Sequence, residues 1–191
     1  MVEDQSPTQI LYAGLDEACM LSILNRLLLK LKIATKFRKK IHLGQDVFIH
    51  KNPTFIVRSN GEDQGIFIED GVYIGRDVNI HTASKIIISK NCVISDYVYI
   101  STLAHGIDPE RGPILSQPDV DKGSIVLGEN VFLGFNTKIL PGVTLGEWTI
   151  VGTGAVVTRS FPGYCIIAGN PARIIKMYNH NEHRWETYND L

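Results

Sequence analysis

From residue 127 to residue 162 the chain reads LGENVF LGFNTK ILPGVT LGEWTI VGTGAV VTRSFP, and the reading of this stretch decides the fold. Leu127, Leu133, Ile139, Leu145, Val151 and Val157 stand six residues apart. The fifth residue of the units is small or β-branched in Val131, Thr137, Val143, Thr149 and Ala155, and the second is glycine at 128, 134, 146 and 152. A fixed period is the signature of a repeat architecture. Six residues are too few for a helical layer, but a short strand and a corner of Gly, Asn or Asp complete one flat side of a prism. Three sides close a coil. Stacked coils set each aliphatic residue above its equivalent, so the interior becomes a column of Leu, Ile and Val with backbones paired as in a parallel sheet.

Outward from this tract the same grammar returns upstream in LGQDVF (43–48), IEDGVY (68–73), IGRDVN (74–79), ISKNCV (88–93) and ISDYVY (94–99). The frame shifts between tracts, so loops interrupt the repeat. Counting sides predicts two coils over 127–162, one over 88–105, one over 68–85 and a poorer one near 43–58, about five in all. An ordinary sandwich would not keep a strict six. Handedness does not follow from the pattern, and the usual crossover rule would favour a right-handed connection.

The flanks and composition set the surroundings of this domain. Residues 15–40, LDEACMLSILNRLLLKLKIATKFRKK, carry apolar residues at helical spacing beside Lys30, Lys32, Lys36, Arg38, Lys39 and Lys40, which predicts one amphipathic helix in an N-terminal segment of residues 1–40. Packing on a coil end or on a neighbouring subunit is favoured for it over contact of its basic face with a membrane surface. The β-helix domain is expected over 41–176 with a loop at 104–123, and 177–191 is expected as a polar tail. A net charge of −1 gives no footprint for nucleic acid. Cys19, Cys92 and Cys165 are widely spaced and read as free thiols in a reducing compartment. The start, MVEDQSPTQI, has neither the basic region nor the apolar core of a secretory signal, which predicts a cytoplasmic protein.

The repeat breaks conspicuously in STLAHGIDPERGPILSQPDVDKGSIV (101–126), where Pro109, Pro113 and Pro118 with Gly106, Gly112 and Gly123 argue against regular strand. Loops on rigid scaffolds are where site residues concentrate, and this one opens with His105. Neutral imidazole can accept a hydroxyl proton as the oxygen attacks a thioester and return it to the leaving thiolate, without a metal. Cys92 occupies the small fifth position of its unit and reads as a buried small hydrophobe, not a nucleophile. His180 and His183 are two residues without partners, too few for a metal site.

The segments HGIDPERG (105–112), VLGENVFLGFNTKILPGVTLG (126–146) and VGTGAVVTRSFPGYCIIAGNPARII (151–175) resemble the maltose, galactoside and polysaccharide O-acetyltransferases, over roughly residues 65–176. The resemblance implies a left-handed parallel β-helix, a homotrimer with active sites between subunits, and acetyl-CoA as donor to a sugar hydroxyl, and it places the catalytic histidine on His105. It matches the acceptor residue of an earlier coil to Asn79 or His81, for which an exposed polar corner is the plainer reading. It matches backbone contacts of CoA to Gly134, Gly152 and Thr153 and basic contacts of its phosphate end to Arg159 and Arg173. Phe132 stands where the family generally has Trp, and Phe135 where it has a small residue beside the CoA groove. Asp108 and Arg111 could steer an acceptor or pair across the loop, the latter being favoured.

Three rivals differ in kind. An N-acetyltransferase of an amino-sugar nucleotide or xenobiotic keeps the fold and changes the acceptor. A zinc carbonic anhydrase on this helix needs three histidine ligands gathered between subunits, and no adequate set is present. A noncatalytic scaffold would need neither the histidine-bearing excursion nor the NPAR tail.

Overall fold

The computed structural model of the chain describes residues 40–58, 61 and 63–188, together with Leu24, Leu27, Leu28 and Leu31. Those four leucines are helical, Lys40 stands in a turn, and the rest of the expected helix over 15–40 lies outside the described residues, as does Cys19.

Each six-residue unit forms a two- to four-residue strand and a corner, and three units make one turn of the chain. Among the described residues there are five complete coils. The first holds β1 (Ile41–Leu43), β2 (Phe48–Ile49) and β3 (Thr54–Val57), and the second β4 (Gly65–Ile68), β5 (Tyr73–Ile74) and β6 (Asn79–Thr82). The third holds β7 (Lys85–Ile88), β8 (Val93–Ile94) and β9 (Tyr99–Ser101). A short ribbon, β10 (Leu103–His105) and β11 (Asp119–Asp121), then leaves the prism. The fourth coil resumes with β12 (Ile125–Leu127), β13 (Phe132–Leu133) and β14 (Lys138–Ile139), and the fifth with β15 (Thr144–Leu145), β16 (Ile150–Val151) and β17 (Val156–Val157). Every strand pairs in parallel with its equivalent one coil away, giving three sheets with the orders β1-β4-β7-β12-β15, β2-β5-β8-β13-β16 and β3-β6-β9-β14-β17.

Register aligns like with like. Ile49, Ile74, Ile94, Leu133 and Val151 are successive partners in the second sheet, and Phe55, Ile80, Ile100, Ile139 and Val157 in the third. The six first-position aliphatic residues of the 127–162 tract are completely buried, and the fifth-position residues Val131, Thr137, Val143, Thr149 and Ala155 are buried with them. Backbone hydrogen bonds run from coil to coil, as from Phe132 N–H to the Thr149 carbonyl and from Tyr99 N–H to the Thr137 carbonyl. The fourth position of the first five units of the 127–162 tract turns the corner with positive φ: 57° at Asn130 and Asn136, 77° at Gly142, 55° at Trp148 and 72° at Gly154. Asn and Gly tolerate this conformation most readily, which is why a corner residue recurs with the strand.

Two segments depart from the expectation. The excursion was expected to lack strand, yet it carries the antiparallel ribbon of β10 and β11, because its prolines lie between and beside those strands and not within them. The stretch expected as a polar tail supplies instead the end of β19 (Ala172–Asn179) and the whole of β20 (Arg184–Thr187). β18 (Cys165–Gly169) extends the second sheet past the fifth coil by pairing in parallel with β16, and β19 and β20 continue it in antiparallel fashion. The hairpin covers a sheet edge that would otherwise present unpaired backbone groups. Its aromatic residues hold it there: Tyr164, Tyr178, His180 and Trp185 meet edge-on or tilted, at 4.6 to 6.4 Å between ring centroids. No helix among the described residues is long and apolar enough to cross a membrane.

Leu133 is completely buried between Ile94 and Val151 in the column. Leu133→Ala should therefore lower the unfolding free energy by about 2 to 5 kcal/mol, measured by urea denaturation, with the void flanked by both coils.

Candidate active site

The excursion is rooted in a small polar knot. Thr82, Ser84, Ser101 and Thr102 are all buried at the corner that joins the third sheet to the first. The Thr102 hydroxyl accepts a hydrogen bond from Ala83 N–H at 3.0 Å and lies 3.2 Å from that of Thr82, and Thr102 N–H donates to the His81 carbonyl at 3.0 Å. Leu103 N–H donates to the Ser101 hydroxyl at 3.0 Å. The chain therefore leaves the prism from a fixed point, and the ribbon register sets His105 directly opposite Asp119. Buried, mutually bonded hydroxyls give such a root its rigidity.

The tip of the excursion is organised by Gln117, which is buried. Its side-chain carbonyl accepts from Asp108 N–H at 3.0 Å, and its amide donates to the carbonyls of Asp108 and Gly112 at 2.8 and 2.9 Å. The Asp108 carboxylate accepts from Glu110 N–H at 3.0 Å and lies 3.1 Å from Arg111 Nε. Asp108 and Arg111 thus pair with each other across the loop. His105, Gly106, Ile107, Asp108, Arg111, Gln117, Pro118, Val120 and Lys122 enclose an open concavity of about 360 Å³.

His105 is half exposed, with Nδ1 3.3 Å from Asp119 Oδ1. The other oxygen of Asp119 accepts from the guanidinium of Arg58, which stands at the end of β3 in the first coil. Neither Asp119 nor Arg58 nor Gln117 was marked by the sequence. The 105–119 pairing depends on a ribbon register, and Arg58 lies 61 residues from Asp119 in the chain.

His81 joins this neighbourhood from β6. Its ring meets Tyr99 edge-on at 5.3 Å, and its Nε2 is buried without a hydrogen-bond partner. Burial first, and the nearby charge of Arg58 second, hold its imidazole below the ordinary value. Asn79, by contrast, uses its side-chain amide to cap the preceding corner, donating to the Asp77 carbonyl at 2.9 Å.

The remaining sequence candidates fall on the other edge of the third sheet. Gly134, Gly152 and Thr153 occupy the corner between the second and third sheets in coils four and five, and Arg173 lies beside them, paired through Ala168. A Cβ at Gly134 would come 2.7 Å from the Val151 carbonyl oxygen and 2.8 Å from Thr153 N, so the overlying coil by itself requires glycine there. Arg159 is exposed on the His105 side of the sheet, its guanidinium over the Phe161 ring at 5.1 Å. Phe135 and Tyr97, both about half exposed, meet edge-on at 5.4 Å on the glycine-bearing corner. Within one chain, then, His105 and the Gly134, Gly152, Thr153 and Arg173 group sit on opposite edges of one sheet.

Cys92 is completely buried, donates to the Gly128 carbonyl at 3.1 Å, and has its thiol pushed up to about 12 by burial. It is a core residue. Among the described residues no group of three or more His, Cys, Asp or Glu side chains is placed to hold a metal ion.

Residues 124–159 match the family model for the bacterial transferase hexapeptide, six repeats. The chain is 35% identical over 127 residues to WbbJ of Escherichia coli strain K12, named as a lipopolysaccharide biosynthesis O-acetyl transferase, with 63% of this chain and 65% of that one covered. It spans little more than half the length of other curated relatives that it matches. A solved hexapeptide-repeat acetyltransferase of Vibrio cholerae O1 biovar eltor, complexed with acetyl-CoA, superposes with a TM-score of 0.65 at 24% identity over 88% of this chain and 93% of that one. An N-acyltransferase of Bacillus cereus in complex with dTDP and CoA superposes with a TM-score of 0.59 at 19% identity, over 77% and 89%. The shared fold is the left-handed parallel β-helix.

The lowered affinity of His81 for a proton couples pH to folding. An imidazole whose folded value lies below its unfolded one contributes stability that is complete above about pH 6.5 and is lost as pH falls toward the lowered value. Wild-type chain should lose stability over that range in denaturant titrations at stepped pH, and His81→Gln should flatten that part of the profile.

Proposed function

From the match of residues 124–159 to the bacterial transferase hexapeptide, we propose that the chain is an acetyl-CoA-dependent O-acetyltransferase acting on a hydroxyl of a sugar or polysaccharide precursor, with His105 as general base. The observation that carries this reading is the placement of His105 on a rigidly rooted ribbon at the rim of an open concavity of about 360 Å³. The names of similar proteins support the donor and the oxygen acceptor.

His105 accepts the acceptor's hydroxyl proton while the oxygen attacks the thioester carbonyl carbon. The C–S bond of the resulting tetrahedral species then breaks, and the imidazolium returns the proton to the thiolate of CoA. Donors aimed at the developing oxyanion would lower the barrier further. We assign the pantetheine arm of CoA to the edge that carries Gly134, Gly152 and Thr153.

The two halves of this chemistry lie on opposite edges of the third sheet within one chain. A site that uses both is completed by a second copy, the His105 edge of one protomer facing the glycine edge of the next. A cyclic arrangement of three prisms satisfies this for every protomer at once, which supports the homotrimer. The phosphate end of CoA would then lie near Arg173 of the glycine edge or Arg159 of the histidine edge. We assign the acceptor side of the site to Asn79 and His81, on the sheet between the two edges.

An amine acceptor is the second reading, favoured by the structural likeness to the Bacillus cereus N-acyltransferase. Hydroxyl and amino sugars offered in parallel with acetyl-CoA decide between them, with free CoA release as readout. His105→Ala should lower kcat by roughly 10²- to 10⁴-fold, the ordinary contribution of a general base, while leaving acetyl-CoA binding by calorimetry intact. Wild-type turnover in that variant would remove His105 from the reaction.

A further inference from the structure

We infer that Asp119, anchored by Arg58, is the positioning residue that selects the tautomer of His105; the inference rests on the reading of His105 as the base. Three observations from separate parts of the fold converge on it. The ribbon register places His105 and Asp119 opposite one another, so their side chains leave adjacent strands side by side. The two carboxylate oxygens are divided, Oδ1 lying 3.3 Å from His105 Nδ1 and Oδ2 accepting from Arg58. Arg58 in turn stands on the first coil, at the end of β3, and not on the excursion.

The consequence follows from the donor inventory of imidazole. A neutral ring has one N–H and one lone pair, and a carboxylate beside Nδ1 can only accept, so the proton is held at Nδ1 and the lone pair is left at Nε2. Nε2 is then the atom that takes the acceptor proton and later returns it to sulfur. Asp119 stays a carboxylate throughout, orienting the ring and stabilising the imidazolium, and takes no proton itself. The 3.3 Å separation is longer than a charge-assisted hydrogen bond of about 2.8 Å, in keeping with sites that tighten only when substrate is bound.

A purely structural reason for the contact is weak. The ribbon is already held by backbone pairing of Leu103 with Asp121 and of Ala104 with Val120, by Gly106 N–H donating to the Pro118 carbonyl, and by the Gln117 contacts. The His105 and Arg58 side chains are each more than half exposed, and ion pairs so exposed contribute little to stability. What the chain Arg58–Asp119–His105 does achieve is to tie the ring on the ribbon to the rigid prism two coils below the root of the excursion.

The test uses the full chain and Asp119→Asn. In long-range ¹H–¹⁵N spectra, neutral His105 of the wild type should carry its proton on Nδ1, and in Asp119→Asn the Nε2–H form should become the major one. With acetyl-CoA and a hydroxyl acceptor, kcat should fall by about 10-fold or more with KM for acetyl-CoA little changed, because the ring is left in the wrong tautomer for accepting the proton. Asp119→Glu should restore part of that loss, and Arg58→Gln should shift the tautomer in the same direction as Asp119→Asn, which also serves should the latter fold poorly. An unchanged tautomer in both variants, or undiminished kcat in Asp119→Asn, would overturn the inference. His105→Ala separates the two readings: full turnover there defeats the base, whereas the tautomer measurement judges Asp119 independently of any turnover.

Discussion

The whole structure depends on one constraint, that each coil must lie on the next with equivalent residues in register. Parallel strands from successive coils share their backbone hydrogen bonds, so a coil that lost register would lose its ladder and its core contacts together. The inward residue of each side therefore has to be aliphatic, as in the column from Ile49 to Val151, and the fifth-position residue has to be small enough to fit at the narrowing corner. The corner itself needs a backbone that turns with positive φ, supplied by Asn130, Asn136, Gly142 and Gly154. Glycine at 134 is demanded from above, by the carbonyl of Val151 and the amide of Thr153. Core, corner and glycine are three consequences of one stacking rule.

A scaffold this regular has little chemistry of its own, because its outward residues repeat as well. Chemistry enters where the repeat is interrupted. Between the third and fourth coils the chain departs from a buried knot of hydroxyls, makes a ribbon, and returns to register with Ile125 paired to Ile86. The two coils pair across the interruption as though it were absent, so the excursion costs the ladder nothing and is free to carry polar residues. Its side chains are then fixed by contacts of unequal kind: Gln117 orders the tip from within, while Arg58 ties Asp119 to the first coil.

The separation of His105 from the Gly134, Gly152 and Thr153 corner has a geometric origin. The excursion leaves at the joint of the third and first sheets, whereas those residues lie at the joint of the second and third. A prism cannot bend one edge onto another without breaking its ladders, so a site drawing on both edges is necessarily built between molecules. Association is in that sense part of the proposed catalytic design and not an addition to it. The same rigidity keeps Cys92 out of the chemistry, since its thiol points into the column and burial holds it protonated.

The period of six, the five coils, the buried aliphatic positions and the place of the interruption were all legible in the sequence, because a repeat writes the same local physics into every unit. His105 was marked too, as the imidazole near the head of the excursion, and its role is the proposal made above. The hairpin formed by residues beyond 176 was not, since its pairing depends on the free edge of the second sheet and not on any periodicity. Nor were Asp119 and Arg58, whose meeting joins residues 61 apart in the chain through a ribbon register and the height of two coils. The sequence alone determined what each unit must be, since hydrogen bonding and burial act on six residues at a time; which side chains share a corner was decided only in the folded prism, where contact depends on stacking height and edge, quantities that no local run of residues encodes.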